Sequence, residues 1–420
     1  MNLLIIGSGG REHALAWKLA QSPRVKKLYC APSSDAISLL AERVDLNPVD
    51  FAGIAQFCAA KAVDIVVVGP ETPLAAGIAD GLKKRGVPVF GPSQSGALLE
   101  SSKSRAKEFM FRHGIPTAKS ETFTKSAEAK RAVNSASLPV VIKADGLAAG
   151  KGVRVCAARE EALEAVEDFM VRRVFGQAGR KVLVEEFMTG REVSAMAFCD
   201  GKTCVPMPFA RDHKRLLDLD KGPNTGGMGV YSPLPDVDAA LAADIQTQVF
   251  DRFVKGIREE GIDYRGVIYA GLMITAAGPK VVEFNCRFGD PETQAVLPLL
   301  ESDLAEIIAA CVEGRLSPEL VRVSPGASAC VVLASAGYPE LPESGKPVFG
   351  LDKLEGLPGV TAFHAGTKKT PQTWITSGGR VLAISAQGAD LPDAVNRAYE
   401  AASRVRFEGM HYRRDIGKTL

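Results

Sequence analysis

Short apolar runs and amphipathic stretches alternate along the first part of the chain. "NLLII", "KKLYCA", "DIVVVG" and "VPVF" are rich in β-branched residues and too short for helices. "REHALAWKLAQS", "DFAGIAQFCAAK" and "LAAGIADGLKKRG", which separate them, carry apolar positions at helical spacing. Strands alternating with helices predict an open parallel sheet. Over residues 91–102 the pattern relaxes, and "KSRAKEFMFRHG" predicts a helix stopped by Gly114 and Pro116.

Residues 121–190 read strand–helix–strand–loop–strand–helix–strand. A Gly/Pro/Asn-rich tract at residues 212–235 is expected to be irregular, and one long helix is predicted over about residues 238–260. A strand pair follows, "GVIYAGLMIT" and "PKVVEFN", then a helix through "DLAEIIAACVEG". Beyond Pro325 come short strands such as "SACVVLAS" and "RVLAISAQ", Gly/Pro turns and a closing helix, "LPDAVNRAYEAAS". No internal repeat or charged tail interrupts this order.

A chain of 420 residues suggests roughly three domains. With 46% hydrophobic and 24% charged residues it has the composition of a globular protein. A formal charge of +2 gives no reason to expect nucleic acid or an anionic membrane as partner. The eight cysteines form no C-x-x-C pair, which points to buried thiols in a reducing cytoplasm. "MNLLIIGSGG" lacks a basic leader, and its apolar run is too short to span a membrane, so it is read as part of the fold.

Candidate chemistry begins at "KADGLAAGKGVRV", residues 143–155, with Gly146, Gly150 and Gly152 around Lys151. A P-loop needs G-x-x-x-x-G-K followed by Ser or Thr. Here the first spacing is one residue short and Gly152 replaces the hydroxyl. The flanks "LPVVIK" and "VRVC" join strand to strand, so the loop is expected to be a flap that closes over phosphates and excludes water. A merely flexible hairpin would need neither Lys143 nor Lys151.

In "VVEFNCRFGDPET", Glu283 and Asn285 stand two apart on a strand and share a face. Hard oxygen ligands suit Mg²⁺, which completes its shell with phosphates and water. Arg287 falls on the same face if the strand continues. The competing reading is a polar, solvent-facing edge strand. "RDHKRLLDLDKGPNTGGMGVYSP" is either a loop whose amides and cations grip a substrate carboxylate or phosphate, or a disordered surface loop. "VLVEEFMTGREVS" could hinge the flap, pairing its backbone with an adenine edge while Glu192 reaches ribose hydroxyls. Acidic strand ends are common, so that stretch alone decides nothing.

Taken in order, these stretches resemble the characteristic segments of the phosphoribosylamine–glycine ligase (glycinamide ribonucleotide synthetase) family of the ATP-grasp superfamily. "IIGSGGREHAL", "VVVGPETPLAAGIAD", "FHAGT" and "SGGRVLAISAQG" look like it too, so the resemblance runs nearly end to end. It implies an α/β ATP-grasp enzyme with an N-terminal parallel α/β (pre-ATP-grasp) domain at 1–102. An ATP-grasp core at 103–120 and 191–324, a mobile lid subdomain at 121–190 and a C-terminal β-rich domain at 325–420 complete it. The implied reaction is ATP-dependent ligation of glycine to 5-phosphoribosylamine through a glycyl phosphate, with Mg²⁺ (or Mn²⁺).

The resemblance also implies roles. Lys143, Glu283 and Arg287 are expected to be catalytic, and Glu283 and Asn285 to hold the metal. Lys103, Lys143, Gly146, Gly150, Lys151, Gly152, Glu185, Glu186, Phe187 and Glu192 are expected on the nucleotide. Gly9, Gly10, Arg11, Glu12, Glu71, Asp212, Lys214, Asn224, Thr225, Gly226, Arg287 and Asp290 are expected on the other substrates. Expected partners are the small molecules glycine and 5-phosphoribosylamine, with no nucleic acid or membrane, and the chain is expected to be a cytoplasmic monomer or weak homodimer.

The chain also departs from the family's pattern. "YAGLMIT" supplies no metal carboxylate, so both ligands come from one strand, as in this ligase subfamily. "APSSDAIS" replaces the usual "APGNAG", so Pro32, Ser33, Ser34 and Asp35 bear on how the phosphorylated sugar is held. Arg105 stands where an aromatic residue is common.

Three other readings compete with this one. A nicotinamide oxidoreductase would rest on "GSGGRE", but Glu12 occupies the position that wants Gly or Ala for close helix packing. A non-catalytic nucleotide binder is expected to lose a metal ligand or Lys143, and neither is lost. Another ATP-grasp ligase or carboxylase is disfavoured by "GPNTGGMG", and a need for glycine without bicarbonate separates the two.

Overall fold

The computed structural model describes residues 1–148 and 150–418. Five parallel strands form the first sheet, in the order Glu42–Arg43, Lys27–Pro32, Asn2–Gly7, Ile65–Val68, Val89–Phe90. Leu3, Leu4, Ile5 and Ile6 are fully buried, as expected of a parallel strand covered on both faces. Chain order reverses beside Asn2–Gly7, the point at which open α/β sheets bind ligands beyond their strand ends. The turns carrying Gly9 and Glu71 lie there, each opening a helix (Gly10–Leu19 and Glu71–Ala75).

The lid sheet runs Ser120–Phe123, Val182–Glu186, Val140–Ala144, Val153–Cys156, all antiparallel. The quoted glycine loop does join strand to strand, between Val140–Ala144 and Val153–Cys156. The central sheet runs Cys204–Pro206, Arg191–Cys199, Gly266–Thr275, Gly278–Asn285. A bridge from Thr117 to Val281, and a hydrogen bond from Lys143 Nζ to Val282 O (3.2 Å), seat the lid on the last of these strands.

The fourth large sheet is ordered Arg211–Asp212, Gly229–Ser232, Ala327–Ala334, Arg380–Gly388, Val360–His364. Its first two strands come from the tract expected to be irregular. They pair across the boundary expected at residue 325, because "GVYS" is fully buried against Ala327–Ala334.

Four elements differ from expectation. The relaxed stretch after Gly91 contains the helix Gln94–Ser101, capped by the Ser93 side chain accepting from Gly96 N. Its Gly96 is a poor helix former that the site requires, since a Cβ there would lie 2.9 Å from Pro92 and 3.0 Å from Tyr264. "ETQAVLPL" is a helix, Glu292–Leu299, buried at every residue. A helix wrapped on all sides shows no amphipathic period. "LAAGIADGLKKRG" splits into Glu71–Ala75 and Ile78–Lys83 at Gly77, whose φ is +87°. The long helix after Asp238 widens to a π turn over Gln246–Asp251, a single wide turn set by backbone hydrogen bonding rather than by any residue type.

Candidate active site

Lys143 sits on a lid strand facing down, buried, with Nζ 2.8 Å from Glu185 Oε2 on the neighbouring strand. Lys107, on the helix Lys103–Arg112, reaches the same oxygen at 3.4 Å and also donates to Thr117 Oγ1 (2.8 Å) and Ala118 O (3.1 Å). Glu185 Oε1 has no hydrogen-bond partner. Burial, opposed by Glu185, pulls the Lys107 ammonium down to about 8. Lys103 donates to Gly146 O at 3.2 Å, tying the same helix to the glycine loop.

Beneath the lid, Glu283 is the focus of positive charge. Burial pushes its carboxyl up, but Lys214, Lys103, Lys143 and Arg287 together hold it below the ordinary range. These cations come from four separate stretches of chain, and the lid, the helix after Ser102 and the "DHKR" loop each supply at least one. Asn285 Oδ1 accepts from Arg287 Nη2 at 3.2 Å. Regular pairing ends at Asn285, yet Arg287 still turns back to that face.

Arg287 joins this centre to the switch point of the first sheet. Its Nη2 lies 2.8 Å from Glu100 and its Nε 3.6 Å from Glu71. Arg11 meets Glu71 at 3.7 Å and Glu12 at 2.6 Å, and donates to Phe288 O at 3.2 Å. Glu12 also accepts from Gly9 N (2.6 Å), so the residue that breaks the dinucleotide fingerprint folds the glycine turn onto itself. Gly10 leaves no room for a side chain, since a Cβ would lie 2.7 Å from Gln294. Asp290 receives Arg11 N (3.4 Å), Gln294 Nε2 (2.8 Å) and Arg380 (3.3 Å).

On the far side, Asp212 is raised well above the usual carboxylate range by burial and then by Glu292, and its Oδ1 has no partner. Lys214 is raised by Tyr269, Glu283, Glu192 and Asp212 against its own burial. Thr225 donates to Lys214 O from both N (2.7 Å) and Oγ1 (2.9 Å), and Gly227 N donates to Thr225 Oγ1 (3.0 Å). Gly226 N donates to Tyr338 OH at 2.9 Å.

Not every expected residue reaches the centre. Glu186 faces outward, accepting from Lys119 N (3.1 Å) and Lys280 (3.2 Å). Phe187 is exposed just past the lid strand, Glu192 is exposed near the start of the central strand Arg191–Cys199, and Asn224 is exposed on a hairpin. Lys151 reaches away from Lys143, to Pro339 O at 3.3 Å. The flap glycines are constrained: Gly150 has φ +75°, and a Cβ on Gly152 would lie 2.7 Å from Ala148. Ser33 takes φ +66°, the left-handed region, where the expected motif has glycine. Asp35 accepts from Lys369 N (2.8 Å) and pairs with Arg43 (3.3 Å).

Sequence reasoning missed Lys107, Glu100, Arg380 and the buried trio Glu292, Tyr269 and Ser194. In that trio Glu292 Oε1 accepts from Tyr269 OH (2.7 Å) and Ser194 Oγ (3.1 Å). Glu292 and Arg380 lie in stretches that carried the resemblance, so only their roles escaped notice.

Three family models for phosphoribosylglycinamide synthetase match the chain in order: the N domain over residues 1–100, the ATP-grasp (A) domain over 101–293 and the C domain over 328–419. The chain is 49% identical to a phosphoribosylamine–glycine ligase of Nostoc sp., covering 99% of each chain. It is 50% identical to the trifunctional purine biosynthetic protein adenosine-3 of Gallus gallus, of which it spans 42%. A crystal structure of phosphoribosylamine–glycine ligase from Thermotoga maritima superposes with a TM-score of 0.86 at 34% identity, covering 99% of this chain and 100% of that one.

Proposed function

The chain belongs to the phosphoribosylglycinamide synthetase family, and from that premise we propose that it joins glycine to 5-phosphoribosylamine using ATP. The products are glycinamide ribonucleotide, ADP and phosphate. One observation supports this above the rest: Lys143, on the strand that leads into the glycine loop, reaches Val282 O on the strand of Glu283 and Asn285, where Arg287 donates to Asn285 Oδ1.

A carboxylate is a poor electrophile at neutral pH. Its oxygen attacks the γ-phosphorus, the bond to the ADP oxygen breaks, and glycine becomes an acyl phosphate. The amine of phosphoribosylamine then attacks the acyl carbon, phosphate leaves with the electrons of the C–O bond, and the amine sheds a proton. The first step needs positioning and charge neutralisation more than covalent chemistry. Lys143 and Lys103 stand at the phosphate end, under the flap of Gly146, Gly150, Lys151 and Gly152. Phosphates entering there draw Lys143 from Glu185, and Lys107 keeps that carboxylate paired. Glu186, Phe187 and Glu192 line the way out towards the nucleoside.

Glu283 and Asn285 fit Mg²⁺. They offer two oxygen donors on one strand face, one of them kept anionic by its surroundings. Among the described residues no group of three or more His, Cys, Asp or Glu side chains forms a cage, and Mg²⁺ takes few protein ligands when phosphates share it. The ion supplies charge neutralisation on the phosphates. Arg287 stands between that point and the switch-point crevice, where Gly9, Gly10, Arg11, Glu12, Glu71 and Asp290 face the phosphorylated sugar. Asp212, Lys214 and Thr225 form the opposite wall, with Asn224 and Gly226 at its exposed edge. A shut flap keeps water from the acyl phosphate.

The proposed domains are 1–102 on the substrate side, 103–120 with 191–324 as the ATP-grasp core, 121–190 as the lid and 325–420 at the C-terminal end. All eight cysteines are free and buried, and among the described residues no helix is long and apolar enough to cross a membrane; the proposed enzyme is cytoplasmic and acts on small molecules. Product identification tests the chemistry: chromatography of a full reaction should show ADP and phosphate, and AMP with pyrophosphate would overturn attack at the γ-phosphorus.

A further inference from the structure

We propose that the C-terminal segment, residues 411–415, is a strap that positions Lys214 and Thr225, with Arg413 as its central positioning residue. What the strapped loop binds rests on the ligase reading, but the strap itself does not.

The strapped element is a hairpin of Arg215–Leu217 and Lys221–Asn224, a sheet of two strands only. Such a pair is marginal in water on its own. Its turn is strained as well. Leu219 and Asp220 both take left-handed backbone conformations, φ +57° and +52°, and Leu219 is 67% exposed. Consecutive non-glycine residues persist there only where their surroundings over-determine them.

The strap supplies those surroundings. Leu219 N donates to Asp415 Oδ2 at 2.9 Å, and Arg414 N donates to Asp218 Oδ1 at 2.7 Å. His411 Nε2 lies 2.9 Å from Leu216 O. Arg413 is 1% exposed; its Nε and Nη2 grip Asp415 at 2.8 and 2.7 Å, leaving Nη1 for Asp220 (2.7 Å) and Arg215 O (3.2 Å). Tyr399 OH, donating to Arg413 O and accepting from Ile416 N (both 2.9 Å), anchors the strap to the helix Leu391–Arg404.

Geometry carries this grip to the site. Arg215 O, held by Arg413, is one peptide beyond Lys214, and Lys214 O is held from the other side by Thr225. Lys214 is in turn one of the cations around Glu283. This segment therefore sets the wall opposite the switch-point crevice, and its side-chain hydrogen bonds given above all go to the hairpin, to the helix Leu391–Arg404 or within the strap itself.

The test uses the full-length enzyme with Asp218→Asn and Asp220→Asn together, which loosens the exposed side and leaves the buried Arg413–Asp415 pair intact. Arg413→Lys serves as a second variant that keeps the charge but loses the fork. Trypsin cleavage after Lys221 reads the hairpin directly, and KM is measured for ATP, glycine and phosphoribosylamine separately. The double variant should be cut roughly tenfold faster, with KM for glycine or phosphoribosylamine up about fivefold and KM for ATP and the melting temperature unchanged. Arg413→Lys should fall between it and wild type. Equal rises in all three KM values with a lower melting temperature would reduce the segment to general stability and overturn the proposal. Unchanged cleavage and unchanged KM values would overturn it too. If wild type itself gives no glycine-dependent ADP, the ligase reading fails, and cleavage after Lys221 still decides the strap.

Discussion

Lys143 and Lys107 share one oxygen of Glu185, at 2.8 and 3.4 Å, while the other oxygen of that buried carboxylate has no partner. Two cations on one anion leave one cation available to a phosphate without stranding the carboxylate. Glu185→Ala should therefore cost stability as well as activity, about 3–5 kcal/mol for breaking a buried pair, seen as a large drop in melting temperature. Lys107→Met should raise KM for ATP and leave KM for glycine alone. The Lys107 pKa, about 8 against an ordinary 10.5, means that the unfolded chain holds more protons between those values. Stability should rise with pH through that window, and Lys107→Met should flatten the rise in a pH series of denaturation midpoints.

Glu283→Gln removes the anion on which four cations converge. Turnover should fall at least about 10²-fold, the scale of losing one preorganised electrostatic group. Near-normal rates at saturating Mg²⁺ would show that the metal sits elsewhere.

Two buried histidines, His13 and His213, and the half-buried His364 predict acid sensitivity. Burial, and then His364, lowers His13 to about 3; burial lowers His364 to about 4; burial, and then Arg413, lowers His213 to about 4. All lie below the ordinary 6.5, so as pH falls the unfolded chain takes up protons before the native one and stability is lost. The loss should reach roughly 2 kcal/mol per group by pH 5. His13 Nδ1 accepts from His364 N at 2.8 Å, and His13→Asn keeps an acceptor there without the titration. That variant should be less stable at pH 7 yet show a shallower decline to pH 5.

Ser33 holds a left-handed conformation, φ +66°, that glycine adopts more readily than serine. Ser33→Gly should stabilise by up to about 1 kcal/mol, the cost of a Cβ in that region. A thermal melt checks it, and destabilisation would mean that the Ser33 hydroxyl, 3.3 Å from Ser34 O and 3.4 Å from Ser38 Oγ, matters more than the backbone.

The parallel sheet, the flap and the Glu283/Asn285 pair were legible because each is written in local pattern: apolar runs, a glycine loop between β-branched flanks, a spacing of two on a strand. Glu100 was not, because the helix that aims it contains Gly96 and is specified by contacts with Pro92 and Tyr264. Glu292 was hidden in a helix with no polar face. Arg413 reads as one more basic residue near the terminus; only the folded chain brings it beside Asp220. Lys143 at the strand end and Lys151 in the turn both read as phosphate-side lysines, and the fold separates them, sending one under the lid and the other to Pro339.

The most direct test is ADP release with one substrate omitted at a time, phosphoribosylamine being generated in the assay because it is a labile hemiaminal. The account predicts full release only when ATP, Mg²⁺, glycine and phosphoribosylamine are all present. Glycine without the amine should give at most a trace, since an acyl phosphate under a shut lid has no acceptor. Strong ADP release with bicarbonate and no glycine would contradict it.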